Sequence, residues 1–355
     1  MKTQNASGQT GAVRQSGVEL LRILAGMAVI ILHVNFLPGG KGALDYAVGL
    51  NRTFLNALEC LCICAVNVFL LISGFFGSHS KKIKVKKLGM ILLQTILFRL
   101  VAHLGYCVLS REIVFSKLLL AMLPINYYVI LYVALMLLSP FINAALERLS
   151  NAAQRRLVII CFLLFSVFST LVDIGEELGL TLSGLSPISL NGSVEGYTIV
   201  QFALMYLLGA WLSREADDLR KAMSTPLLSV GLAVTALLIY LWNALLPKTS
   251  LMYSNPLVIL EACLALLLFC RMRFHSKWVN MIAPASFSCY LIHEYILPFL
   301  NYEQISANPL MFLAGTMLLV VVGIYALSVV AYYVWSWVTG KLFPDKTEGW
   351  IINAE

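Results

Sequence analysis

Long apolar runs alternate with short polar ones along most of this chain, and the apolar runs set its architecture. Ten mostly apolar stretches lie at about 19–38, 53–77, 88–108, 126–146, 157–174, 198–213, 226–246, 256–270, 280–300 and 309–338. Each reads as a helix that crosses a bilayer core. The segment from Ile113 to Ile125 is apolar but shorter and runs up to Pro124, which predicts an interfacial or re-entrant piece. The predicted fold is an all-α polytopic membrane protein of about ten transmembrane helices. It divides into an N-terminal tail (1–18), one membrane domain (19–338) and a C-terminal tail (339–355).

Composition agrees. Hydrophobic residues make up 60% of the 355 positions and charged ones 12%, with a mean hydropathy of +0.85. A soluble domain would carry about 25% charged residues. The gaps between runs are too short to hold a soluble domain. The first run is longer than a signal-peptide core and lacks a convincing cleavage site, so it is expected to be retained.

Charge fixes an orientation. The N-terminal tail, KKIKVKK (Lys81 to Lys87), ERLSNAAQRR, SREADDLRK, RMRFHSK and the C-terminal tail together hold 18 of the 25 Lys and Arg. The opposite connections hold Lys41, Arg52, Arg111, Lys117 and Lys248, and Arg22 and Arg99 fall within or at the edge of runs. The positive-inside rule then puts both termini in the cytoplasm. Topology thus explains the net charge of +7, and no nucleic-acid partner is needed. The longest external loop, about Val172 to Tyr197, is acidic and holds no Lys or Arg; it reads equally as a lid or as a connector.

Eight cysteines (60, 62, 64, 107, 161, 263, 270 and 289) sit almost entirely within apolar runs, where a thiol acts as a small apolar group. No histidine or second cysteine pair stands near Cys60, Cys62 and Cys64, so no metal site is expected. Internal repeats are not visible, which weakens an inverted-repeat transporter.

The first run carries the chemistry. VELLRILAGMAVIILHVNF places Glu19 and Arg22 at one end and His33 toward the other. Glu19 and Arg22 are three apart and face each other on a helix. His33 follows Arg22 by three turns, about 16 Å further along the same face. A polar stripe in lipid must face the bundle interior or a water-filled cavity. A structural reading makes it a buried ion pair plus a histidine bonded to a backbone carbonyl. A functional reading notes its direction: a cation at the cytoplasmic mouth, then a side chain whose proton moves near neutral pH.

Glu19-Leu-Leu-Arg22 followed by His33 resembles the first-helix signature of membrane acyltransferase family 3, which includes bacterial O-acetyltransferases of surface polysaccharides. Four further stretches resemble it in order: NVFLLISGFF (Asn67 to Phe76), NYYVILYVALMLLSPFI (Asn126 to Ile142), GYTIVQFALMYLLGAWL (Gly196 to Leu212) and ASFSCYLIHEYIL (Ala285 to Leu297). The resemblance covers about 17–340. It implies a multi-pass protein of the bacterial cytoplasmic (inner) membrane and acyl-CoA, with acetyl-CoA the default, as donor on the cytoplasmic side. It also implies a carbohydrate or lipid-linked sugar acceptor at the outer leaflet, with His33 between them. Polysaccharide-synthesis partners fit the same picture. Where relatives have arginines at the start of the third helix this chain has lysines, which bind phosphate as point charges without the guanidinium fork.

On this basis His33, Arg22 and Glu19 are the catalytic candidates. Arg22, Lys84, Lys86, Lys87 and Arg99 are the donor-binding ones, and Tyr127, Tyr128, Tyr290 and His293 line the acceptor path. His33 acts as general base toward the acceptor hydroxyl or as a transient acyl carrier. Bland readings stand beside several of these: lysines required by topology and anionic lipid, an interfacial aromatic belt at Asn126, Tyr127 and Tyr128, and helix-to-helix bonding by Ser286, Tyr290 and His293. Glu261 would need a partner, and His79 and His275 read as solvated. The rival function is a small-molecule or saccharide transporter using the same stripe; a third is a structural partner in a synthesis complex. The tail KLFPDKTEGWIINAE holds no large external domain, so direct delivery to the acceptor or a separate protein is expected.

Overall fold

Local sequence signals explain where most helices begin. The computed structural model describes residues 15–113, 115–182, 184–186, 195–343 and 351–353. Its principal helices are α1 (Ser16–Asn35), α2 (Gly49–Cys62), α3 (Ala65–Gly77), α4 (Val85–Ser110), α5 (Tyr127–Glu147), α6 (Asn151–Phe162) and α7 (Phe168–Glu177). The remainder are α8 (Ile199–Arg214), α9 (Thr225–Leu245), α10 (Pro256–Arg271), α11 (Ser286–Ile296) and α12 (Leu310–Leu342). Asn126, Ser150, Thr198, Ser224 and Asn255 each accept a backbone N–H of the first turn and so start α5, α6, α8, α9 and α10. Pro226 and Pro256 occupy the opening turns of α9 and α10, where no intrahelical donor is lost.

Among the described residues seven helical stretches are long and apolar enough to cross a membrane: Ser16–Asn35, Gly49–Gly77, Val85–Ser110, Tyr127–Glu147, Asn151–Glu177, Thr225–Leu245 and Leu310–Leu342. The architecture is all-helical in its core and compatible with a multi-pass membrane protein. The other three predicted spans are helical but short or broken. α8 and α10 have 16 residues each. The ninth run is divided among Lys277–Ile282, a 3-10 turn at Ala283–Ala285, α11 and a second 3-10 turn at Leu297–Phe299. Pro284 and Pro298 fall in those turns and explain the breaks. The run from Asn151 to Glu177 holds a π turn at Leu163–Val167. The apolar piece after Ile113 forms a seven-residue helix, Phe115–Ala121. Residues 183 and 187–194 of the predicted lid or connector lie outside the described residues.

Small residues let the central helices touch. A Cβ on Gly74 of α3 would lie 2.1 Å from the Tyr206 carbonyl oxygen of α8, and one on Gly209 would lie 2.3 Å from that of Leu71. One on Gly17 of α1 would lie 2.3 Å from the Phe269 carbonyl oxygen of α10. Backbone contact of this kind is how helices associate where lipid removes the hydrophobic drive. Leu70, Leu71, Phe202, Met205 and Tyr206 are buried at the centre, whereas α4, α9 and α12 present broad apolar faces outward.

The basic segments meet at one end of the bundle. Ser16 donates to Asn280 of the short helix Lys277–Ile282 that follows RMRF. Lys81 pairs with Glu147, and Arg214 donates to the Leu146 carbonyl. Arg271 donates to the Arg220 carbonyl. The strand β1 (Lys82–Lys84) pairs antiparallel with β2 (Ile351–Asn353) from the C-terminal tail. These contacts link the described parts of the six lysine- and arginine-rich segments at that end.

Candidate active site

Helix α1 crosses the middle of the bundle and carries both ends of the site. Near its start the Arg22 guanidinium meets both Glu19 carboxylate oxygens, at 3.2 and 3.4 Å, so the i,i+3 spacing makes the expected ion pair. Near its other end His33 meets His293 of α11, with Nδ1 and Nε2 2.6 Å apart. The ring planes lie within 21° and the centroids 4.7 Å apart, so the two rings stand edge to edge. The other nitrogen of His293, Nδ1, is 2.9 Å from the Cys289 carbonyl oxygen one turn earlier. A carbonyl only accepts, so His293 Nδ1 carries the proton and donates. In the neutral ring Nε2 then accepts, and His33 Nδ1–H donates to it. His33 Nε2 is left with its lone pair available.

Several bonds hold α11 against α1. Ser286 Oγ lies 3.2 Å from the Arg22 carbonyl oxygen and 3.0 Å from the Tyr325 hydroxyl of α12. Gln94 of α4 donates to Ser288 at 2.8 Å. Two residues past His33, Asn35 donates to Glu59 (2.8 Å) and to the Leu55 carbonyl (3.1 Å), which ties the end of α1 to α2. His293, Asn35 and Glu59 are all buried.

A cavity of about 480 Å³ opens beside this axis, with Arg22, Val29, Ser73, Lys87, Tyr128 and Tyr290 in its wall. Val29 precedes His33 by one turn, and the Tyr290 ring is 5.9 Å from that of His293. A second cavity of about 280 Å³ adjoins it and reaches Lys82, Lys84 and Lys87; the two share Arg22, Ile72, Ser73, Lys87 and Tyr132. A route is therefore laid out from the lysine-rich end, past Arg22, to one turn short of the histidine pair.

The predicted residues divide along that route. Arg22, Lys84 and Lys87 line it, with Tyr128 and Tyr290 further in. Lys86 instead points toward the Phe343 carbonyl and lies outside both walls. Arg99 does not join the lysines: it stands 12 residues beyond Lys87 on α4, about 18 Å along the axis. There it donates to the Ile125 carbonyl at 2.8 Å. Arg99, named with the lysines as a donor-binding candidate, therefore stands apart from Lys84 and Lys87 and lines neither cavity. Tyr127 is exposed and packs on Tyr197, whereas Tyr128 is buried among Tyr132, Phe202 and Tyr290. Tyr290 donates to the Asn126 carboxamide at 3.0 Å. His293 sits beside His33 and lines neither cavity.

Sequence reasoning missed the wall residues Ser73 and Tyr132 and the supports Gln94, Asn35 and Glu59. Only periodicity could have flagged them, and it does not say which helices pack together. Glu261 is buried against the Cys64 thiol, with neither carboxylate oxygen paired to nitrogen or oxygen among the described residues. His33, His293 and Glu294 offer ligand atoms within 4.8 Å of one another and are the groups that could hold a metal ion. The 2.6 Å histidine contact is nevertheless shorter than the separation of about 3.3 Å expected of two nitrogens on one tetrahedral zinc.

No curated protein sequence and no solved structure matches the chain. A family model described as an acyltransferase domain, that of acyltransferase family 3, matches residues 15–332.

Proposed function

Because the chain belongs to acyltransferase family 3, we propose that it is an integral membrane O-acyltransferase. It moves an acyl group, acetyl by default, from cytoplasmic acyl-CoA to a hydroxyl of a cell-envelope carbohydrate or related acceptor. The membrane is the bacterial cytoplasmic one, with both termini and the basic segments inside. Membership and the apolar helices support a membrane acyltransferase; the donor, the acceptor and the residue roles are this reading's own.

The observation that carries it is the walled route from Lys84 and Lys87, past Arg22, to Val29 and Tyr290, one turn short of the His33–His293 pair. The phosphates of coenzyme A suit the lysine end, where cations meet the solvent. Glu19 orients Arg22 and offsets part of its charge, so a cation is tolerable inside the bundle. The acyl-pantetheine arm follows the cavity inward, and the thioester reaches His33.

Chemistry then needs one base. His33 Nε2 takes the acceptor's hydroxyl proton as the oxygen bonds to the thioester carbonyl carbon. As the carbon–sulfur bond breaks, the same nitrogen returns the proton to the leaving thiolate. Atoms and charge balance with no further reactant. The acceptor arrives from the other end, where Tyr127, Tyr128, Tyr290 and Asn126 offer the aromatic faces and polar groups that sugars use.

The test supplies radiolabelled acetyl-CoA to membranes holding the wild type or His33→Ala. Label passes into membrane-associated carbohydrate only with the wild type. Equal labelling in both membranes would remove the catalytic role of His33. Uptake or export of a solute without coenzyme A would favour a transporter instead.

A further inference from the structure

Two hydrogen bonds decide which nitrogen of His33 does the work and what His293 is for. The Cys289 carbonyl fixes the His293 proton on Nδ1. That leaves His293 Nε2 as the acceptor 2.6 Å from His33 Nδ1. Since His33 Nδ1 must then be the protonated one, Nε2 is the nitrogen free to accept. A lone histidine in an apolar bundle would exchange tautomers and turn about its side-chain bonds; this one is held in a single state by an in-plane partner.

We infer that His293 is a positioning residue: through its bare Nε2 it sets the tautomer and ring orientation of His33, so that His33 Nε2 acts on the acceptor hydroxyl. The inference rests on the acyl-CoA reading above and gives a specific role to a residue that the sequence placed only along the acceptor path.

The partner's own anchoring supports it. His293 is fully buried, so water does not compete for Nε2. Its helix is pinned by Ser286 to the Arg22 backbone, by Gln94 to Ser288, and by the Cys289 thiol to the Gly26 carbonyl. All three bonds lie within two turns of His293. A residue serving only to fill space would not need its acceptor nitrogen turned toward His33 by a bond to its own helix.

During the reaction His33 becomes an imidazolium with a proton on each nitrogen. The Nδ1–H···Nε2 bond to His293 persists and becomes charge-assisted, which strengthens it as charge develops. His293 need not take the proton itself, and that separates positioning from a proton relay.

The experiment uses the full-length chain in membranes that contain its acceptor and follows free thiol released from acetyl-CoA. Three forms are compared: wild type, His293→Gln and His293→Leu. The Gln carboxamide oxygen reaches about where Nε2 stood and accepts from His33 Nδ1–H, yet cannot carry a proton. The Leu side chain fills the space without accepting. His293→Gln is expected to keep kcat within about tenfold of wild type. His293→Leu is expected to lose kcat by about a hundredfold or more, with the KM for acetyl-CoA unchanged in both. Equal kcat in the Gln and Leu variants, whether both active or both inactive, would overturn the positioning role. Thermal stabilisation by acetyl-CoA, measured on each purified variant, confirms that the donor site is intact and excludes misfolding as the cause. No thiol release from the wild type would instead sink the acyl-CoA reading, a separate outcome.

Discussion

Helix α1 separates two cavities of nearly equal size and opposite character. One, of about 520 Å³, is walled by apolar side chains such as Leu24, Ala28, Ile31, Phe54, Leu61 and Leu232, with no charged residue among them. The other, of about 480 Å³, has Arg22, Lys87, Ser73, Ser286 and three tyrosines in its wall. Ala28 faces the first and Val29 the second, so adjacent residues of one helix look into different environments. Size therefore does not mark the site. A few polar groups converging on an otherwise apolar wall do. Only the polar cavity continues to the lysine-rich end and approaches the histidine pair.

Substitutions on the two faces of α1 sharpen that contrast. The largest effect is expected from His33→Ala, with kcat for acetyl transfer falling by about 10²–10⁴-fold and donor binding preserved. Steady-state kinetics in membranes, together with donor binding, separates the two quantities. Arg22→Ala removes a guanidinium shared by both parts of the route. It should weaken acetyl-CoA binding by about ten- to a hundredfold, as for a lost charge-assisted bond, and ligand titration reads this directly. Lys84→Gln and Lys87→Gln, at the exposed mouth, should each raise KM only about two- to fivefold, and less so at high salt. Ala28→Leu on the apolar face should change kcat and KM by less than about twofold, because the three added carbons project into open volume. A large loss of acetyl-CoA affinity in Ala28→Leu would undo the distinction between the cavities.

The sequence makes part of this visible because part of it is local. Glu19 and Arg22 meet because helix geometry puts residues three apart on one face, and nothing else is needed. The helix starts at Asn126, Ser150, Thr198, Ser224 and Asn255 are likewise written within three residues of each cap. The breaks are less legible: the run from Gly49 to Gly77 turns at Ile63 and Cys64 with no proline or glycine to announce it.

What remained hidden depends on packing between distant segments. His33 and His293 are 260 residues apart, and each by itself reads as an intramembrane histidine. The pairing needs α11 against α1, which Ser286 of α11 arranges together with Gln94 and Tyr325 from two other helices. Lys84 and Lys87 reach the route whereas Lys86 does not, because the helix beginning at Val85 turns neighbouring lysines to different sides. Arg99 belongs to the same helix as Lys87 but by length to its far end. Charge counting cannot see that distance, yet a rise of 1.5 Å per residue makes it decisive.

The most direct test of the polar cavity as the donor's route is thermal unfolding of the purified wild-type protein against acetyl-CoA concentration. Binding to the folded state alone must raise the unfolding temperature. A concentration-dependent rise, shifted to about ten- to a hundredfold higher concentration in Arg22→Ala and smaller with a donor lacking the nucleotide phosphates, is the expected result. No rise at saturating acetyl-CoA, or an equal rise in wild type and Arg22→Ala, would contradict it.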